Sequence, residues 1–434
     1  MLKKILFLCC LLCMGLLQAQ FWTETYSGFS TNLRGLSKFD IVDASVTWAV
    51  GYDGVNTNNN IQEFSKTVDG GVTWTAGNID VGDTGLGIGN ISALDAMQAY
   101  VSIYPRASGQ QGGIWKTVDG GTTWTLEANA GFTSSASFLN IVHFFDATTG
   151  LAIGDPVNGF WEIYRTTNGG SSYSRVASSQ IPAPLAGETG YIAQFESFGD
   201  NIWFTTSEGR IYHSVDKGAS WNVYQSPIND FGGTTIAGDI AFATGLRGVI
   251  QDNSGNLYRT VDAGQTWNNI VISGVGTPYG GSIDYLPNTF FMVSTGGDPS
   301  FAGSSYSRDD GVTWINIDTE QHVDCAFLDD NTGFSGGFSN ATAMLGAYRY
   351  TSTVLSNPDE ALAQDFMVFP NPVGEQLNIQ TNLSWNKAIV YDLNGRQVLD
   401  SRSPQIDVGF LNTGLYFIEI SSDAGSRRIQ FLKK

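Results

Sequence analysis

Thr117-Val-Asp119-Gly-Gly121-Thr-Thr-Trp124 decides the fold, because it does not stand alone. The same octapeptide appears as Thr67-Val-Asp69-Gly-Gly71-Val-Thr-Trp74 and as Thr166-Thr-Asn168-Gly-Gly170-Ser-Ser-Tyr173. It returns as Ser214-Val-Asp216-Lys-Gly218-Ala-Ser-Trp221, Thr260-Val-Asp262-Ala-Gly264-Gln-Thr-Trp267 and Ser307-Arg-Asp309-Asp-Gly311-Val-Thr-Trp314. Its third positions, 69, 119, 168, 216, 262 and 309, are 50, 49, 48, 46 and 47 residues apart. A spacing that regular is the mark of a structural repeat.

Each position has a physical task in a strand–turn–strand corner. The carboxylate accepts hydrogen bonds from N–H groups of its own turn. Glycine two residues later takes a backbone conformation in which a Cβ would clash. The hydroxyl adds a local bond, and the tryptophan brings a large apolar surface to bury between neighbouring repeats. Six equivalent copies read as scaffold rather than as six active sites. Between them lie short β-branched and aromatic runs, such as Ile91 to Val101 and Ile283 to Val293, punctuated by Gly, Asn and Asp. Four short strands fit one such interval.

The six tracts resemble Asp boxes, found in sialidases, sortilin-like receptors, xyloglucan-cleaving glycosidases and the photosystem assembly-factor family. The resemblance implies a β-propeller, with each box at the turn between the third and fourth strands of a blade. Asn168 and Tyr173 are the departures, and Asn still makes such a turn. Residues 21–352 divided by seven give about 47 residues, the observed repeat, whereas six gives about 55. The expected fold is therefore all-β, a seven-bladed β-propeller. A seventh unit without a box runs through Cys325 to Leu328, Gly333 to Phe338 and Ala347 to Ser352. Phe21 to Gly28 can supply its fourth strand and close the ring.

Outside this region the ends are equally legible. Lys3 and Lys4 precede the apolar run Ile5 to Leu17, and Ala19 offers a cleavage point, so residues 1–20 read as a secretory signal peptide. Cys9, Cys10 and Cys13 each follow a large or sulfur-bearing residue, which disfavours lipidation, and their loss leaves Cys325 without a partner. The formal charge is −19, or −21 once Lys3 and Lys4 are gone. Such a surface excludes nucleic acid and anionic membranes as partners. No later apolar run is long enough for a transmembrane helix.

Residues 353–365 read as a linker, and 366–434 alternate as short strands of a small β-sandwich, with Asn394-Gly395 at a hairpin turn. Phe369-Pro-Asn-Pro372, Ile389-Val-Tyr-Asp-Leu-Asn-Gly-Arg396, Gly414-Leu-Tyr-Phe-Ile-Glu-Ile420 and the basic end Arg427 to Lys434 resemble the type A C-terminal sorting domain of type IX secretion. That resemblance implies passage through the periplasm, engagement of the type IX machinery, export across the outer membrane, and removal of this module.

Chemistry is harder to find. The Arg-Ile-Pro tract of sialidases is absent, and Arg34, Arg106, Arg210 and Arg247 are scattered over different repeats. Lys66, Lys116, Arg165, His213 and Arg259 each precede a box, which makes them a strand feature. A glycosidase needs two carboxylates about 5 to 10 Å apart, and Asp and Glu are too abundant here to single out a pair. His143, His213 and His322 share no metal-ligand spacing. These motifs require no cofactor. A non-catalytic binding or adhesion module for a glycan or protein ligand is the leading expectation, and a secreted carbohydrate-active hydrolase is the alternative. Aligning the repeats places Asp53, Asp155, Glu208, Asp252 and Asp298 near the loop between second and third strands. They form either a solvated acidic rim or a ring around the channel mouth that attracts Ca²⁺ or a cationic ligand.

Overall fold

The computed structural model describes residues 21–351 and 366–434, except 57, 58, 60, 235, 236, 382–384, 393–395, 423 and 424. The signal-peptide and linker readings, and the Asn394-Gly395 turn, lie outside these residues. The chain divides into two compact units, Met1–Thr353 and Val354–Lys434.

In the first unit the described residues are almost entirely strand and turn, with one short 3₁₀ turn at Ser178–Gln180. Its building block is a four-stranded antiparallel meander. In the first sheet these strands are Arg34–Ile41, Thr47–Asp53, Glu63–Thr67 and Thr75–Asn78. Five further sheets keep the same order, each beginning with its innermost strand: Gly87–Ala93, Leu139–Phe144, Gly190–Phe198, Gly238–Phe242 and Ser282–Tyr285. The last sheet takes Asp324–Phe327, Gly333–Asn340 and Leu345–Tyr350 from the end of the unit and Trp22–Tyr26 from its beginning. Trp22 pairs with Tyr350 and Tyr26 with Gly346. Each first strand packs against the next, and Asp324–Phe327 returns to Arg34–Ile41, so the first strands form a closed ring.

The repeated octapeptide turns between third and fourth strands. At Asp119, Oδ1 accepts from the Thr117 hydroxyl at 2.8 Å and from the Thr123 N–H at 2.9 Å. Its Oδ2 accepts from the Thr123 hydroxyl at 2.6 Å. These bonds pull the Asp119 carboxyl down to about 2, with the Thr123 hydroxyl the largest cause. Asn168 reproduces the arrangement, accepting from Thr166 and Ser172. Gly121 has φ 91°, and a Cβ there would stand 2.2 Å from the Phe64 ring of the preceding sheet. Trp124 also packs on Phe64, ring centroids 6.0 Å apart, so the turn joins one sheet to the one before it.

A second recurring turn connects first and second strands. Asp43, Asp95 and Asp146 each accept two backbone N–H groups two and three residues on. The octapeptide turn docks on it, as in Gly120 N–H to Met97 O at 2.9 Å. Three of the basic residues before the octapeptides reach the adjacent sheet on the C-terminal side, whereas Lys116 lies over Tyr100 and His213 meets Asn201 within their own sheets. Lys66 Nζ donates to Ala96 O and Gly120 O, Arg165 to Lys217 O, and Arg259 to Asp310.

The second unit pairs a three-stranded sheet, ordered Met367–Phe369, Gln376–Gln380, Gln405–Asp407, with a four-stranded one. The latter is ordered Gln397–Ser401, Lys387–Tyr391, Gly414–Ser422, Gly425–Lys433. Leu377, Val390, Val408, Ile418 and Phe431 are fully buried in one core between them. Gln405–Asp407 is a strand the sequence pattern does not announce, being three residues with one apolar side chain.

Candidate functional site

The first strands surround a cavity of about 440 Å³. Among the described residues their inner edges pair with no further strand except at one bridge, Gly35 to Phe338, so the other N–H and C=O groups must find other partners. Side chains from the neighbouring sheet supply them, from its first strand in every case below except Asp155, which stands on the second strand of the third sheet. Asp40 accepts the Ala93 N–H of the second sheet. Asn90 Oδ1 and Ser92 Oγ accept Val142 N–H and Phe144 N–H of the third, both at 3.0 Å. Asp155 accepts Gly190 N–H of the fourth at 2.9 Å, and Gln194 donates to Gly238 O of the fifth at 3.2 Å. Asp239 accepts Ile283 N–H at 3.2 Å, and Asp284 accepts Phe327 N–H at 2.8 Å. Asp324 completes the hoop by accepting Lys38 N–H at 2.5 Å. Lys38 reaches it from a left-handed conformation, φ 53°, at a register shift between Ser37 and Asp40.

The hoop concentrates carboxyl groups in a confined space. Burial pushes Asp40 up to about 6 and Asp284 up to about 8, the charges of Asp239 and Asp324 adding at Asp284. Burial also raises Asp239, and raises Glu196 well above the ordinary carboxyl value, with the Asp284 charge adding there. Asp324 holds Lys38 in its charged form, and burial takes His143 down to about 4. No arginine lines this cavity among the described residues. Arg34 is paired with Glu63 at 2.8 Å, Arg210 with Glu188 at 2.9 Å, and Arg247 lies 3.8 Å over the Phe290 ring.

These opposite shifts predict a bell-shaped stability profile. A carboxyl whose folded pKa is raised stabilises the fold below its ordinary pKa, and that contribution is lost as pH rises through the folded value. For Asp40 and Asp284 the loss runs through about 6 and about 8. The turn carboxylates Asp69, Asp119, Asp216 and Asp262 have depressed values and lose their contribution as pH falls, Asp119 towards about 2. The melting temperature is expected to be highest at about pH 4, the ordinary carboxyl value from which both losses begin, and to fall towards pH 9. Asp284→Asn should lower the maximum, because its amide meets an N–H donor, but flatten the alkaline decline. A decline as steep in the variant as in the wild type would remove Asp284 as its cause.

The five rim carboxylates are placed on five sheets, and four of them accept nearby backbone N–H groups. Asp53 accepts Val55 N–H at 2.8 Å, Asp252 accepts Ser254 and Asn256 N–H at 2.9 Å, and Asp298 accepts Ser300 N–H at 2.8 Å. Asp155 belongs to the hoop, and Glu208 is exposed. Among the described residues, no group of three His, Cys, Asp or Glu is placed to hold a metal ion.

One array imitates a hydrolase. His322 Nδ1 lies 2.9 Å from Ser335 Oγ, and Nε2 lies 3.1 Å from Asp318. Ser335 is fully buried, however, and donates its hydroxyl proton to Asp324 O, so it is no nucleophile. Asp318 also accepts from Ser304 Oγ, which itself accepts the Trp22 indole N–H, both at 3.0 Å. The array bolts the closing strand to the last two sheets. Cys325 is buried beside it, its thiol pushed up by burial.

Comparison with known proteins gives each unit a context. Residues 367–434 match the family described as "Secretion system C-terminal sorting domain". No curated protein matches the chain. Among solved structures, "YCF48 bound to D1 peptide" superposes with a TM-score of 0.53 at 15% identity, covering 77% of this chain and 98% of that one. YCF48 from Cyanidioschyzon merolae gives 0.53 at 16% identity, covering 76% and 98%. The GH74 enzyme of Niastella koreensis gives 0.44 at 15%, covering 94% and 72%. At these identities the YCF48 likeness speaks to fold alone, and that fold is propeller-like. The chain is thus a secreted protein: an all-β, propeller-like body carrying a type IX secretion C-terminal sorting domain.

Proposed function

We propose that the body is a seven-bladed β-propeller, with Asp-box turns as scaffold and the N-terminal strand as closure. On this reading residues 1–20 are its Sec signal peptide, and the C-terminal unit is a β-sandwich sorting domain recognised by the type IX machinery. The exported propeller serves as a non-catalytic binding module for a glycan or protein ligand. The observation that carries this reading is the hoop: Asp40, Asp239, Asp284 and Asp324 hold neighbouring strands by their N–H groups. Carboxylates committed in this way are mortar. That YCF48 was solved with a peptide bound fits a propeller that binds without reacting.

The hydrolase alternative draws on Glu196 and Asp284, two carboxyls of raised pKa lining one cavity. Incubating the protein with xyloglucan, sialylated and mixed plant oligosaccharides, and reading released reducing ends, separates the two. The binding reading expects no turnover. Hydrolysis that disappears in Glu196→Gln would replace it with the alternative.

A further inference from the structure

Where the first and last sheets meet, three loops expose apolar side chains. Leu33 is 49% exposed, Val55 73% and Met344 59%. The loops form one surface, since Gly54 N–H donates to Leu33 O at 2.9 Å and Leu33 N–H to Ser339 O at 2.8 Å. Ala341 N–H donates to Asn32 Oδ1 at 3.0 Å, tying in the turn that ends at Met344. Leu33 and Met344 both have φ 57°. That left-handed conformation disfavours any residue with a Cβ except Asn and Asp. An exposed turn gains nothing from leucine or methionine there, where glycine or asparagine would sit without strain.

The border of this surface is acidic. Asp53 caps the loop carrying Val55, and Glu24 accepts Gly346 N–H two residues beyond Met344. Arg34, next to Leu33, is already met by Glu63 at 2.8 Å and Asp53 at 3.9 Å. Three carboxylates therefore stand against one arginine. A second copy of a chain with formal charge −19 is repelled from such a border. A neutral glycan gains little from aliphatic side chains, since sugars favour aromatic faces. The chemistry that fits is a polypeptide segment carrying positive charge and aliphatic side chains.

We infer that the Leu33–Val55–Met344 surface is a docking site for a cationic, apolar-bearing polypeptide segment. The inference rests on the binding-module reading and names the class of partner. It is tested with the full chain, by fluorescence anisotropy against an alternating Lys/Leu peptide, with an alternating Lys/Ser peptide as charge control. The wild type should prefer Lys/Leu by at least about tenfold, since only that peptide can bury the patch. A Leu33→Asn, Val55→Ser, Met344→Asn variant should lose that preference while melting no lower, because asparagine tolerates the left-handed turn. Equal affinity of variant and wild type for Lys/Leu would overturn the site. A wild type that does not discriminate between the peptides would reduce it to unspecific charge. Self-association abolished by the variant would make the occupant a second copy instead. Oligosaccharide turnover would remove the binding-module reading without altering any of these peptide results.

Discussion

Removing residues 367–434 is expected to abolish delivery to the cell surface while leaving a folded body behind. Each unit has a core of its own: in the second, Phe366, Leu377, Val390 and Phe431 belong to one cluster. The body also keeps its closure when truncated. Leu345–Tyr350 is held by Gly333–Asn340 on one side and Trp22–Tyr26 on the other, so the last strand of the body needs no partner from the C-terminal unit. Export, by contrast, has its address in the sorting domain. The truncated chain should accumulate in the periplasm, resist protease as the intact body does, and be missing from the surface and the medium. Fusing residues 354–434 to a leader-bearing reporter should send the reporter out. Surface delivery of the truncated chain would place the address elsewhere.

Legibility in the sequence tracks the range of the interactions. The octapeptide turn is readable because its bonds close within it: Thr117 to Asp119, and Asp119 to Thr123. The closing strand is readable through spacing, since Trp22–Tyr26 supplies what the last repeat lacks. The hoop is not. Asp40 finds its N–H partner 53 residues away, Asp239 44, Asp284 43 and Asp324 286. Its only trace in the sequence is an aspartate inside an apolar strand, as in Phe39-Asp40-Ile41 and Val323-Asp324-Cys325. The turn at Asp43, Asp95 and Asp146 also repeats, but its sequence is too degenerate beside the octapeptide to stand out. For the rim, aligning the repeats puts the acids near one kind of loop. Alignment carries no radial distance, so it does not reveal that Asp155 is committed to the next sheet.

The octapeptides themselves should divide their work unequally between aspartate and tryptophan. Trp124 is 8% exposed and lies in a cluster with Trp48 and Phe64 of the first sheet and Val101 and Trp115 of the second. Trp124→Ala therefore leaves a void at a sheet–sheet boundary that neither sheet can fill alone, and a buried large aromatic lost in this way costs about 3 to 5 kcal/mol. Its indole N–H has no hydrogen-bond partner among the described residues, so the loss is one of packing. Trp124→Phe should recover part of the stability by restoring a ring against Phe64. Asp119→Ala opens an exposed turn, and the N–H groups it releases can turn to water, so a smaller shift is expected. Denaturant melts of the three variants should rank Trp124→Ala below Trp124→Phe, and both below Asp119→Ala. If Asp119→Ala were the most damaging, the turn's hydrogen bonds would matter more to the ring than the packing between its sheets.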